Sequence, residues 1–438
     1  MKPIASRTPL TNCLPKLGAS AQTKPLIPAF NLILSPQAGR GYAPFSGFAR
    51  APVLLIAILL SAILSARALA APEAEVDALA QLAAKGERTA IVKLLDLARK
   101  GDAEAQVQIG WIYYQGLVVQ RSYPLAFEWF NKAAAKDHVQ AMNLLGHLYQ
   151  EGLGIEQDYV QARFWYQQAA DRGLPAAANN LGWLYLKGLG MGKNPVLARE
   201  WFERAAGKGQ AVALYNLGYL YDGGLGVERD PERALAWHRK SADLGYLPAV
   251  RAIGWHYQEG QGIAQDFSLA KNWYEKAAAQ GDLEAEAMVG QLFQYGRGVP
   301  RNLDLARQHY EKAAQGGDPI GEVLLGWMYQ QGLGVERNYA SALAWYRKSA
   351  EHGNASAQNY IGYLYDEGLG VARDYKEALA WYRKAAAQEH AAALFNIGFM
   401  YEEGRGTARN VDEAFRYYRQ AAERGHAEAR RILEKAAR

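Results

Sequence analysis

The sequence predicts an all-α protein: a solenoid of nine 36-residue helix-turn-helix repeats with capping helices at both ends. Two observations carry that prediction. The chain is self-similar at a period of 36 residues without an insertion, in units beginning at Gly101, Asp137, Gly173, Gly209, Gly245, Gly281, Gly317, Gly353 and Glu389. A fixed period of that length marks a stacked array rather than a globular core. Inside each unit the apolar residues recur at helical spacing, and turn and cap residues punctuate them at constant places.

The chain opens on a segment of different character. Residues 1–72 carry seven cations and no acid, nine of the 16 prolines and the single cysteine, Cys13. An apolar run over 53–64 is followed by Ala68-Leu69-Ala70. A run this short fits a secretory signal better than a membrane span, and the small residues set cleavage near 70/71. The alternative is an uncleaved membrane anchor formed by residues 51–66. The expected location is exported, in the periplasm or cell envelope. Removing the segment changes the charge: the chain's +5 becomes 42 cations against 44 acids, a balance of −2. It also leaves no cysteine, so no disulfide could support the fold.

Residues 73–100 can form two short capping helices, with Ala90 aligned on the small residues of the repeats. Nine full repeats follow over 101–424. The first helix of each has apolar residues at unit positions 9, 12 and 13, as in Leu181, Leu184 and Tyr185. Position 10 is glycine in all nine, from Gly110 to Gly398. A mid-helix glycine costs about 1 kcal/mol, so its recurrence predicts close approach by a neighbouring helix. Position 16 is glycine throughout, as a left-handed helix end requires.

The second helix starts from position 22, which is Ser, Asp or Asn in every unit and therefore a good N-cap. Alanine at position 26 and small residues at 33 and 34 alternate with aromatics at 29 and 30. Seven of the 11 tryptophans occupy position 29, where core packing against alanine is expected. No hairpin can bury its own apolar face, so the units must stack on a continuous core. Residues 425–438 read as a capping first helix, with Glu434 where the close-packing glycine would be.

Units such as Asn216-Leu-Gly-Tyr-Leu-Tyr-Asp-Gly-Gly-Leu-Gly-Val227, with Ala234-Leu-Ala-Trp-His-Arg-Lys-Ser-Ala242, resemble the Sel-one-like repeat (SLR), a relative of the tetratricopeptide repeat. The resemblance implies a right-handed α/α superhelix that scaffolds other proteins, often as a secreted or periplasmic adaptor. Some secreted relatives staple each hairpin with a cysteine pair, which this chain lacks.

On the first helix, positions 4, 7, 11 and 14 form the face opposite the apolar stripe, and in tetratricopeptide-like folds that face lines a concave groove. Position 11 reads Trp111, His147, Trp183, Tyr219, Trp255, Gln291, Trp327, Tyr363 and Phe399. Position 7 adds Asn143, Asn179, Arg251 and Asn359, and position 14 is mostly polar. These residues form the candidate partner-binding groove. The competing reading is that the position-11 rings pack laterally between adjacent first helices. Gln291 and His147 argue against it, because an unpaired buried polar group costs about 1–3 kcal/mol.

Nothing in the sequence marks a catalytic or metal site. Gly-x-Gly recurs between helices without a strand before it, and the eight histidines form no i, i+4 pair. No cofactor is expected. Nucleic acid is disfavoured by a near-neutral mature chain without a basic stripe. The expectation is a non-catalytic scaffold or adaptor of the cell envelope that holds a peptide segment or partner protein. Alternatives are a polysaccharide-binding envelope protein and a secreted hydrolase or cell-wall-acting factor.

Overall fold

A computed structural model describes residues 71–437, which form 21 α-helices with no strand among the described residues. The signal segment, the membrane-anchor alternative over 51–66 and Cys13 lie outside the described residues. No described helix is long and apolar enough to cross a membrane. The described chain forms two compact units, residues 71–249 and 250–437.

The first unit opens with α1 (Ala71–Ala84) and α2 (Arg88–Lys100). Four hairpins follow: α3 (Ala103–Gln115) with α4 (Tyr123–Ala134), α5 (Val139–Glu151) with α6 (Tyr159–Asp171), α7 (Pro175–Lys187) with α8 (Pro195–Ala206), and α9 (Ala211–Gly223) with α10 (Pro231–Asp243). The second unit begins within α11 (Leu247–Glu259) and continues through α12 (Phe267–Ala278), α13 (Leu283–Tyr295), α14 (Leu303–Gln315), α15 (Pro319–Gln331) and α16 (Tyr339–Glu351). It ends with α17 (Ala355–Glu367), α18 (Tyr375–Ala386), α19 (Ala391–Glu403), α20 (Val411–Glu423) and the short α21 (Ala427–Ala436). The architecture is thus an α/α solenoid of hairpin repeats.

Each second helix is fixed at its start by the expected cap. The position-22 side chain accepts from the backbone N–H two or three residues on, as Asp158 does at 2.8 and 3.0 Å and Asn302 at 3.0 Å. Such a cap satisfies donors the helix cannot bond itself, worth about 1 kcal/mol each. The buried stripe then runs through positions 26, 30 and 33: Ala162, Tyr166 and Ala169 are fully buried, as are Ala306, Tyr310 and Ala313.

This corrects the expectation for position 29. Its tryptophans are half-buried, apart from the nearly buried Trp201, and six of the seven lie under a Lys or Arg three residues on. The Lys384 ammonium sits 3.7 Å from the Trp381 ring centroid, for example. One residue is a 100° step around the helix, so position 30 points into the core while position 29 packs on its margin, as Trp129, Trp165, Trp345 and Trp381 do; Trp201 is buried together with Phe202.

The position-10 glycine meets the position-30 ring of its own hairpin. A Cβ at Gly146 would stand 2.6 Å from the Tyr166 ring, and one at Gly290 2.6 Å from that of Tyr310. Position 18 is a second close approach. A Cβ at Gly154 would lie 2.5 Å from the backbone nitrogen of Pro124, at the start of the preceding second helix.

In repeat one, which follows α1 and α2, position 18 is Val118, exposed and at φ 62°. The left-handed conformation is kept there by a residue with a branched side chain. A β-branched residue is strained there, so Val118→Gly is expected to stabilise the first unit by about 1 kcal/mol, read as a higher urea midpoint. A lower midpoint would mean that the valine side chain is itself packed usefully.

Candidate interaction face

The first helices were expected to present positions 4, 7, 11 and 14 together. The structure separates them. Asn143, Asn179 and Asn359 at position 7 are each 1% exposed, and Arg251 is 4% exposed. Each asparagine is engaged by position 8 of the next repeat: Asn180 Nδ2 donates to Asn143 Oδ1 at 3.0 Å, Asn216 to Asn179 at 2.8 Å and Asn396 to Asn359 at 3.0 Å. These amides join adjacent first helices in the interior. They are not placed to meet a ligand.

Position 14 is buried in most repeats and half-buried at Tyr114, Asp222 and Glu402. Its polar side chains accept from the position-30 hydroxyl of the same hairpin: Tyr166 to Gln150 at 3.0 Å, Tyr310 to Gln294 at 2.6 Å, Tyr346 to Gln330 at 2.9 Å, Tyr418 to Glu402 at 2.6 Å. In repeat four His238 takes the tyrosine's place and bonds Asp222 at 3.0 Å. Where position 30 is phenylalanine, position 14 carries no amide or carboxylate: Phe130 goes with Tyr114 and Phe202 with Leu186. Polarity at this position therefore serves a buried hydroxyl and not solvent.

That pairing predicts a rescue. Tyr310→Phe alone leaves the Gln294 amide buried without its donor and should cost about 1–2 kcal/mol, whereas adding Gln294→Leu should restore most of it. Repeat three already carries the Phe and Leu combination. Urea melts of the two single variants and the double variant decide it; additive losses would show that the bond contributes nothing of its own.

What remains on the surface is position 11, with positions 4 and 15 one to two turns away on the same side. In the first unit Trp111 is half-buried and stacks on Tyr114 at 5.1 Å, and the Tyr114 hydroxyl meets His147 Nε2 at 2.9 Å. Burial lowers the His147 pKa to about 4, so its imidazole is neutral. Trp183 is half-buried beneath the Lys187 ammonium, 4.7 Å from its ring, and Tyr219 is buried, its phenol pushed up by burial.

In the second unit Trp255, Gln291, Tyr363 and Phe399 are half-buried, whereas Trp327 is buried. The rings therefore lie partly between helices and partly on the surface, in repeated register, with nothing in the arrangement that resembles a nucleophile–base pair.

A stacked all-α repeat array with a recurrent half-exposed aromatic row defines a binding scaffold by its class. The chain belongs to the Sel1 repeat family, whose model matches nine successive segments: 103–138, 139–174, 175–210, 211–246, 248–282, 283–318, 319–354, 355–390 and 391–426. Repeats of this family, like tetratricopeptide repeats, generally mediate protein–protein interactions, and its members are generally non-catalytic.

Two solved structures illustrate the likeness. One is a protective antigen of uropathogenic Escherichia coli strains displaying an SLR fold, 32% identical over 77% of this chain and 80% of that chain, with a TM-score of 0.49. The other is a Sel1 repeat protein from Oxalobacter formigenes, 32% identical over 56% of this chain and 96% of that chain, with a TM-score of 0.50. The comparison with curated proteins returns no match.

Proposed function

We propose that this protein is an adaptor of the cell envelope that holds an extended segment of a partner protein on the exposed face of its first helices. One observation carries the reading. Position 11 keeps Trp111, Trp183, Trp255, Tyr363 and Phe399 half-exposed, while positions 9 and 12 of the same helices are buried. Large rings at a recurrent surface position supply contact area at little cost in conformational entropy, as binding anchors do. Export rests on the basic, acid-free segment and its apolar run over 53–64.

The test uses a photo-crosslinking residue at position 11 in place of Tyr363, and at Lys348 on a second helix. Adducts to one partner segment are expected from the first site alone. Adducts from both sites or from neither would sink the reading, and so would a glycan as the captured species. Export is tested separately by N-terminal sequencing: a chain starting near Ala71 in the periplasmic fraction is expected, and an intact Met1 in the cytosol refutes it.

A further inference from the structure

Unit position 2 caps the first helices, its side chain accepting a backbone N–H three residues on. In the second unit that cap is Asp282 on α13, Asp318 on α15 and Asn354 on α17, bonded at 2.9, 2.6 and 3.0 Å. On α19 and α21 it is a histidine: His390 Nδ1 accepts from Ala393 and His426 Nδ1 from Ala429, both at 3.3 Å. Only a neutral imidazole can accept there. Protonation turns Nδ1 into a donor facing an N–H and sets a positive charge at the positive end of the helix dipole.

The first unit shows how such a cap is made tolerant of acid. There His138 caps α5 in the same way, and its Nε2 meets the Glu104 carboxylate, 34 residues back, at 2.9 Å. The charged ring would keep a strong partner. The residue 34 before His390 is Ser356, whose hydroxyl lies 3.3 Å from Nε2, and the one at the same distance before His426 is Ala392. Neither offers a countercharge.

The surroundings favour neutral rings. Burial first, and His426 second, push His390 down to about 4; burial also lowers His426, with Glu428 opposing. Glu428 is itself bonded by Arg431 at 2.9 Å, and Arg424 and Glu389, close in sequence to the two histidines, pair with each other at 2.5 Å. The His426 ring stacks on Phe395 at 4.3 Å, where α21 covers a cluster that includes Leu394, Tyr418 and Ala421.

Both rings are held below the ordinary histidine value of about 6.5, so their caps contribute fully above that pH, and the His390 contribution is gone below about pH 4. In repeats six and seven the sign is opposite, because burial raises Glu284 and Asp318. A repeat array is held by nearest-neighbour contacts, so one end can open while the rest holds.

We propose that the C-terminal end of the second unit is an acid-opened joint: protonation of His390 and His426 releases the caps of α19 and α21 and uncovers the apolar surface beneath α21, while repeats six and seven stay folded. The inference does not depend on the adaptor reading.

The test is hydrogen exchange by mass spectrometry on the full-length chain at about pH 7 and about pH 4.5, corrected for the intrinsic effect of pH on exchange. Opening of residues 391–437 should rise about fiftyfold, the factor for moving one histidine from about 6.5 to about 4, whereas residues 283–331 should open no more than before. His390→Asn with His426→Asn, the cap that Asn354 already provides on α17, should abolish the rise. Ser356→Glu, which reproduces the arrangement of Glu104 and His138, should reduce it. An equal rise over both segments, a rise undiminished in the asparagine variant, or no rise at all would each overturn the proposal.

Discussion

Gly146→Ala is expected to lower the stability of the first unit by about 2–3 kcal/mol, the cost of forcing a methyl group into a filled interior. Helix propensity alone predicts the opposite sign, a gain of about 1 kcal/mol for alanine over mid-helix glycine. Packing should win because the new Cβ would stand 2.6 Å from two carbons of the Tyr166 ring. That ring is fully buried, and its hydroxyl is tied to Gln150 at 3.0 Å, so it cannot swing aside without breaking a buried bond.

Gly207→Ala is the matched control. Gly207 is exposed and right-handed at φ −61°, and its Cβ would meet only the carbonyl of its own helix at 3.3 Å. Alanine stands at the same unit position in Ala135, Ala279 and Ala387. Gly207→Ala should therefore be neutral or raise stability by about 0.5–1 kcal/mol. Urea unfolding followed by circular dichroism reads both. A midpoint for Gly146→Ala equal to or above that of the unchanged chain would show that the glycine is not held by ring packing.

The contrast between those two glycines shows what the sequence made legible. A residue type repeated at nine equivalent places exposes the constraints common to every repeat, so caps, left-handed turns and the close-packing glycine could be read directly. The direction of a side chain is harder, because one position is a 100° step. Positions 29 and 30 were therefore taken together as core, and the buried polar residues of position 7 and the buried or half-buried ones of position 14 were assigned to the surface.

The missing signal was in the chain itself. Gln, Asp or Glu at position 14 occurs only where position 30 is Tyr or His, and Asn143, Asn179 and Asn359 each precede an asparagine 37 residues later, at Asn180, Asn216 and Asn396. Such correlated choices between repeats report a buried bond, whereas a solvated face would vary one residue at a time. Position 11 shows no such partner rule. That is consistent with its remaining half-exposed.

Arg251→Ala should be the most damaging single change at a charged residue, costing the second unit about 3–5 kcal/mol, because it strands buried acids without a cation. Arg251 stands at the position that is asparagine in repeats two, three and eight and is 4% exposed. Its guanidinium bonds Asp282 and, at 2.9 Å, Glu284. Asp282 also caps α13 by accepting from the N–H of Ala285 at 2.9 Å.

One guanidinium thus serves two acids directly, with Asp318 close enough to feel the same charge. Burial is the larger influence: it raises Glu284 to about 8 and Asp318 to about 6, with Arg251 opposing it in both cases. Both folded values lie above the ordinary carboxylate values, so the folded unit binds more protons than the unfolded chain. The contribution of these groups is complete below about pH 4 and is lost as pH rises through about 8.

Melts of the second unit should accordingly show lower stability at about pH 8.5 than at about pH 5.5, and Glu284→Gln should flatten that slope by removing the titrating group while keeping its shape. In the Arg251→Ala background the same Glu284→Gln substitution should recover part of the loss, and more of it at the higher pH. Stability that rises with pH over this window, or a Glu284→Gln variant as steep as the parent, would show that Arg251 holds both acids ionised and that burial does not govern the cluster.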